Sequence, residues 1–354
     1  MKKTIGTQGE RRLARFGPGS KRGELALIRR IQGGFAGQRG SSVALGIGDD
    51  CAILRPPRGH EVVVTTDFTL EGKHFRRDWH SAESAGHRAL ARGLSDLAAM
   101  GARPLAAFLS LALPADMEQD WITCFFNGLG DLAKEFEVPL AGGDTALAPD
   151  GSVLADIVLV GSAPVGTALR RSGARAGDLL YCTGRLGGAA AELIDLEKLA
   201  GQRKRPRRSA GEAIRVAGSH PQLFPEPRVK AGWELRRRGL ATAAIDLSDG
   251  LSSDLRHLCE ASQVAATIEL ARLPLHPLAS ARGNGLGLAL NGGEDYELLF
   301  AARPGTRVPR QIAGVTIARI GELRKAREGA PQVLQIEEDG SSKPLEARGW
   351  EHRF

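Results

Sequence analysis

From Glu24 onward, short apolar runs of strand character alternate with longer amphipathic ones, and the apolar runs repeatedly stop at an acidic residue beside Gly, Ser or Thr. Such alternation builds an α/β or α+β protein whose sheets are covered by helices. The periodicity predicts helices over Glu24–Gln32, Ser84–Met100 and Asp116–Phe136, with Leu90, Leu94 and Leu97 forming one stripe of the second. Strands are predicted over Val43–Leu54, Glu61–Asp67, Leu105–Leu113 and Val153–Ser162, with a short one from Pro139 entering a Gly-Gly-Asp turn at Asp144. A stretch rich in Pro, Gly and Arg, Ala163–Gly177, separates this half from the next. The second half then shows strands at Asp178–Cys182, Thr242–Asp246, Ala265–Leu270, Leu298–Ala301 and Val315–Ile320, and a helix carrying Leu251, Leu255 and Leu258. At 354 residues, two domains are expected. Their bounds are 23–165 and 166–354, preceded by a tail over 1–22.

The charge is unevenly placed. The chain carries a net +7. Residues 1–22 hold seven basic residues against Glu10, a net +6, and the run Arg203-Lys204-Arg205-Pro206-Arg207-Arg208 adds +5. The rest is therefore mildly acidic, at −4. The basic stretches read as a disordered tail and as a surface insertion near 201–210, with nucleic-acid binding as the alternative. Aromatic residues to stack on bases are missing there apart from Phe16, which disfavours nucleic acid. No apolar stretch approaches the roughly 18 residues a membrane span needs, and the basic N-terminus has no apolar segment behind it. Cys51, Cys124, Cys182 and Cys259 are too scattered for a zinc cluster or a disulfide framework. A cytoplasmic location is expected.

The acidic clusters carry the chemistry. They are Gly46-Ile47-Gly48-Asp49-Asp50, Thr65-Thr66-Asp67, Gly142-Gly143-Asp144-Thr145, Asp246-Leu247-Ser248-Asp249-Gly250 and Gly292-Gly293-Glu294-Asp295. Any one alone reads as a turn. Together, carboxylates, hydroxyls and close-approaching glycine backbones suit Mg²⁺ and phosphates. Asp96 lies in the apolar helical run Leu94-Ser95-Asp96-Leu97-Ala98-Ala99-Met100, where a carboxylate needs a metal or a partner such as Arg92 four residues earlier. P-loop, dinucleotide, zincin and nucleophile-elbow motifs are missing. Phosphates would be held without a P-loop lysine.

In this order, Gly-Ile-Gly-Asp-Asp-Cys-Ala, Thr-Thr-Asp, Leu-Ser-Asp-Leu-Ala-Ala-Met-Gly-Ala, Gly-Gly-Asp-Thr, Arg-Ser-Gly-Ala, Ile-Asp-Leu-Ser-Asp-Gly-Leu and Gly-Gly-Glu-Asp-Tyr-Glu-Leu resemble the thiamine-monophosphate kinase family. The resemblance runs from about Glu24 to the C-terminus. It implies a two-domain aminoimidazole ribonucleotide synthetase-like fold, with an N-terminal mixed-sheet dimerisation domain and a C-terminal α/β domain. It also implies a homodimer that uses ATP and Mg²⁺ to convert thiamine monophosphate to thiamine diphosphate. By the same resemblance Asp50, Thr65, Thr66, Asp67, Asp96, Asp144, Asp246 and Asp249 bind several Mg²⁺ ions. Gly143, Asp144, Arg171 and Ser248 contact ATP, and His74, Glu294 and Trp350 contact thiamine monophosphate. Trp350 could instead be a hydrophobic anchor, and His74 a surface histidine. A selenophosphate synthetase would show a reactive Cys and Lys near its N-terminus, and the related hydrogenase maturation factor a C-terminal Cys; neither is present. An aminoimidazole ribonucleotide synthetase-like enzyme is the alternative within the superfamily.

The acceptor phosphate, with a second pKa near ~6, is mostly dianionic at neutral pH and needs no general base. The obstacle is repulsion. Two unit charges at ~4 Å repel by about 4 kcal/mol at an effective dielectric of 20. Direct transfer without a phosphoenzyme is expected.

Overall fold

The computed structural model describes residues 23–35, 42–201 and 220–350. The basic tail and the basic insertion lie outside the described residues. In chain order the first half comprises α1 (Glu24–Phe35), β1 (Val43–Leu45), β2 (Ile53–Leu54), β3 (His60–Leu70), α2 (Ala82–Ala99), β4 (Arg103–Leu113), α3 (Gln119–Glu135), β5 (Leu140–Leu147) and β6 (Leu154–Pro164). The second comprises β7 (Leu179–Thr183), α4 (Gly188–Gly201), α5 (Val229–Arg237), β8 (Ala243–Asp246), α6 (Leu251–Ser262), β9 (Val264–Glu269), α7 (Pro277–Ser280), α8 (Gly285–Asn291), β10 (Leu298–Ala302), β11 (Gln311–Ile312), β12 (Val315–Lys325), β13 (Val333–Ile336) and β14 (Ser342–Pro344).

The first sheet has the order β3-β6-β4-β5, with β4 and β5 parallel and the other pairs antiparallel. The second runs β14-β13-β9-β12-β7-β10-β8, and β11 pairs with β12. Its β13–β9 pair is parallel. The protein thus has the mixed-sheet architecture expected. No described helix is long and apolar enough to cross a membrane.

Helix α2 is the piece both halves share. Fourteen of its residues are buried, because it packs on the first sheet, on α3 and on α5. One continuous apolar cluster joins Leu90, Leu94 and Leu97 of α2 to Ile157 and Leu159 of the first sheet, to Leu235 of α5 and to Phe300 of β10. A second cluster covers the other face of the second sheet with Leu251, Leu255 and Leu258 of α6. Strand β10 shows the two-residue period directly: Leu298, Phe300 and Ala302 enter the first cluster, Leu299 and Ala301 the second. The approach of α2 to its neighbours is close. A Cβ on Gly86 would lie 1.9 Å from the Phe125 carbonyl oxygen, one on Gly128 1.9 Å from that of Glu83, and one on Gly232 1.9 Å from that of Ala98.

Two local expectations are corrected. The Val43–Leu54 strand is a hairpin of two short strands, β1 and β2, interrupted by the Gly-Ile-Gly-Asp-Asp segment. The Gly142-Gly143-Asp144 segment is no turn: it lies inside β5, where Gly143 and Asp144 pair with Leu109 and Ser110 of β4. Gly143 has φ +150 and a Cβ there would meet the Leu109 carbonyl oxygen at 1.9 Å, so glycine serves close strand approach.

Candidate active site

Three elements bring carboxylates into one region. On β3, alternation turns Thr65 and Asp67 toward α2, while Thr66 and Phe68 face outward and are exposed. On β8, Asp246 shares a face with Ala244, which enters the cluster around α2. Helix α2 supplies Ser95 and Asp96. The Thr65 hydroxyl donates to Asp96 Oδ2, and the Ser95 hydroxyl donates to Asp246 Oδ2 at 2.8 Å. Burial raises the pKa of Asp67, and the neighbouring Asp96 raises it further against the opposing pull of Arg92. Burial also raises Asp96, offset by the Thr65 hydrogen bond and then by Arg171. Asp246 is raised by burial and by Asp96. Three carboxylates therefore share a largely buried site that holds too little positive charge for them.

That imbalance is the fit test for a cation. The donors are oxygen only, carboxylates and a hydroxyl, as a hard divalent ion prefers. Among the described residues no three His, Cys, Asp or Glu side chains already stand close enough to grip one ion. The set is gathered but not closed.

The loop after β8 extends this centre. Asp254 Oδ2 accepts the backbone N–H groups of Asp249 and Gly250, both at 3.1 Å, and burial pushes its pKa up to about 8. The Ser248 carbonyl accepts from Glu294 N at 2.8 Å, and the Asp249 carbonyl from Trp350 N at 2.9 Å. Ser248, Asp249, Glu294 and Trp350, distant in sequence, are thereby neighbours. The Trp350 ring is half exposed at 56%. Arg171 acts electrostatically on both Asp96 and Asp246.

Beside the carboxylates lies a second cluster. Arg88, with no exposed side-chain surface, pairs with Glu294 Oε1 at 2.5 Å and donates to the carbonyls of His74, at 3.0 Å, and Gln222. Gln222 Nε2 donates to Glu294 Oε2 at 2.9 Å. Burial raises the Glu294 carboxyl, yet Arg88, then Arg92, Gln222 and His74 overcome it and hold it below the usual range. Arg92 Nη1 donates to Tyr296 Oη at 3.0 Å, with Asp67 at 3.5 Å and Glu294 at 3.4 Å. Glu294 and Tyr296 have φ of 69 and 49, a left-handed backbone that non-glycine residues adopt at a cost of order 1–3 kcal/mol. The intervening Asp295 turns away and accepts from Gly187 N at 2.7 Å and Ala189 N at 3.2 Å. Arg88 thereby brings His74 and Glu294, which the family resemblance grouped, into one cluster.

The remaining sequence candidates lie elsewhere. Gly143 and Asp144 line a cavity of about 50 Å³ with Ile28, Ile31, Ile47 and Phe126, under the β1–β2 hairpin that also carries the exposed Asp50. Asp144 is three strands from β3, roughly 14 Å away, and shares the outward face with Thr66. Sequence reasoning missed Arg88, Gln222 and Asp254 and gave Arg92 only one partner. The signal for the arginines was present: Arg88, Arg92 and Asp96 recur every four residues on an otherwise apolar helix.

Residues 48–163 match the family model for the N-terminal domain of AIR synthase related proteins. The chain is 40% identical over 339 residues to thiamine-monophosphate kinase of Escherichia coli K12, covering 93% of this chain and 98% of that one. It is similar to a solved thiamine-monophosphate kinase from Stenotrophomonas maltophilia K279a, with 35% identity, a TM-score of 0.75, and coverage of 89% and 96%. A further solved structure, described as AaThiL complexed with AMPPCP and TMP, is 28% identical with a TM-score of 0.70 and coverage of 94% and 97%.

Proposed function

The chain belongs to the thiamine-monophosphate kinase family, and we infer that it transfers the γ-phosphoryl group of ATP to thiamine monophosphate, giving thiamine diphosphate and ADP. The observation that carries the reading onto this chain's own residues is the meeting of Asp67, Asp96 and Asp246 beside the Arg88–Glu294–His74 cluster. One group suits a polyphosphate with its cations, the other an organic cation that wants a carboxylate.

We assign the ion site to Asp67, Asp96, Asp246 and the Thr65 hydroxyl, with Asp249 at its edge. Mg²⁺ held there would supply the positive charge that offsets the repulsion between the two phosphate-bearing anions. Asp96 and Asp246 fix the depth of that site, because Thr65 and Ser95 hold their side chains. Arg171 and Ser248 contact ATP beside the carboxylates, while Gly143 and Asp144, three strands from β3, reach it only across the dimer. Glu294, kept ionised by Arg88, faces the cationic thiamine rings, His74 flanks it and Trp350 covers them. An oxygen of the acceptor phosphate attacks the γ-phosphorus, the bond to the β-phosphate oxygen breaks, and ADP departs. No proton must move if the acceptor arrives as a dianion.

A homodimer completes the proposal. Val62, Val64 and Phe68 of β3 are more than half exposed on the outward face of the first sheet, next to Leu154 of β6. An apolar strip of this kind fits a second copy of the same sheet. Thr66 and Asp144 share that face, so their part in ion binding belongs to the dimer, as does that of Asp50 on the hairpin at the β5 edge. A cytoplasmic location follows from the same reading. Incubation with ATP, Mg²⁺ and thiamine monophosphate should yield thiamine diphosphate, whereas free thiamine should not be phosphorylated. Absence of product refutes the assignment, and a phosphoprotein trapped during turnover refutes direct transfer.

A further inference from the structure

Arg88, Arg92 and Asp96 form a ladder on one face of α2, each step four residues and roughly 6 Å of helix. The two ends are occupied. Arg88 is buried and committed to Glu294 at 2.5 Å and to two carbonyls. Asp96 is committed to Thr65 and the neighbouring carboxylates. Arg92, in the middle, is not used up. Its side chain keeps 17% of its surface exposed, and its one close hydrogen bond goes to Tyr296 Oη at 3.0 Å. Its acidic neighbours are at 3.4 and 3.5 Å, well beyond the 2.7–2.9 Å of a charge-assisted bond. Its Nε is buried with no hydrogen-bond partner, as is that of Arg88. Glu294 has its close partners in Arg88 at 2.5 Å and Gln222 at 2.9 Å, with Arg92 farther off at 3.4 Å. What sets Arg92 apart from Arg88 is a partly exposed, loosely paired guanidinium with donors left for an oxygen ligand.

The position says which ligand. A molecule with its rings at Glu294 and its reacting end at Asp67 must pass Arg92, and the group that arrives there is the phosphate. We propose that Arg92 is the fork that grips the acceptor phosphate of thiamine monophosphate, donating through its guanidinium edge to two phosphate oxygens, with Tyr296 holding the plane. The planar fork matches a phosphate in a way an ammonium does not. Arg92 also keeps a dianion tolerable between Asp67 and Glu294. The assignment rests on the kinase reading given above.

Calorimetric titration of the full chain in Mg²⁺ buffer without nucleotide tests it, with thiamine monophosphate and thiamine as the two ligands. Arg92→Met should weaken thiamine monophosphate by tenfold or more and leave thiamine within about twofold. In turnover the KM for thiamine monophosphate should rise while that for ATP holds. Arg92→Lys keeps the charge without the fork and should weaken the phosphate ester about threefold to tenfold; it serves equally if Arg92→Met does not fold. Equal weakening of both ligands, or no change for thiamine monophosphate, overturns the proposal and leaves Arg92 a structural cation. A wild-type chain that binds thiamine monophosphate no better than thiamine overturns the kinase reading itself.

Discussion

Gly128→Ala and Gly130→Ala are the same substitution two residues apart on α3, and they should act with opposite sign. A Cβ on Gly128 would lie 1.9 Å from the Glu83 carbonyl oxygen of α2, whereas contacts under 3.0 Å essentially never occur. The helices must therefore part by roughly 1 Å, and neither atom belongs to a side chain that could swing aside. Overpacking of this kind costs about 1–3 kcal/mol, against about 1 kcal/mol of helix propensity gained by replacing glycine with alanine. The net expectation is a loss of up to about 2 kcal/mol for Gly128→Ala. On Gly130 the new Cβ meets the Phe35 ring at 3.5 Å, an ordinary contact, so the propensity gain stands and the variant should be slightly stabilised. Urea unfolding followed by circular dichroism reads both. Function should follow position, since α2 carries Arg88, Arg92, Ser95 and Asp96. A displacement near 1 Å can cost on the order of 10²-fold in rate, so kcat/KM for thiamine monophosphate should fall in Gly128→Ala and hold in Gly130→Ala. A Gly128→Ala protein as stable and active as the wild type would refute the claim that backbone contact between α2 and α3 fixes the site.

Asp246→Asn should be inactive by at least about 100-fold yet more stable than the wild type in metal-free buffer, because it removes a buried charge facing Asp96. Added Mg²⁺ should raise the melting temperature of the wild type and not of Asp246→Asn; equal shifts would remove Asp246 from the ion site. Arg88→Met leaves Glu294 buried without its close partner and should cost about 3–5 kcal/mol in urea titration. Asp295 reports on pH: burial raises its carboxyl to about 7 although it accepts from Gly187 and Ala189. The folded state therefore binds its proton more tightly than the unfolded state does, so its contribution to stability is fully present below about pH 4 and is lost as pH rises to about 7. Asp295→Asn should flatten that decline, by up to about 1.4 kcal/mol per pH unit where it is steepest, and unchanged slopes would contradict the buried placement. Phe68→Asp on the open face of β3 should convert a dimer to monomers by light scattering, and a monomeric wild type would dispose of the dimer altogether.

Much was legible in the residues themselves. The three-and-four spacing of Leu90, Leu94 and Leu97 marked α2, the β-branched run at Val62-Val63-Val64 marked β3, and the acidic clusters identified which loops and strands to compare. These are local signals, set by the 3.6- and 2-residue periods of the backbone. What the residues could not disclose is which face of each element meets which other element. Thr65 and Thr66 are equivalent as letters, but only Thr65 turns toward Asp96. The Gly-Gly-Asp segment has the composition of a turn and became a strand because β4 lay alongside to pair with it. Arg88 and Arg92 looked like ordinary helix-surface cations until the chain returned some 200 residues later with Glu294 and Tyr296. Sequence determined the main elements and the inventory of charged groups. Tertiary structure decided their partners, because burial and charge pairing depend on segments that only the packing of two sheets around α2 brings together.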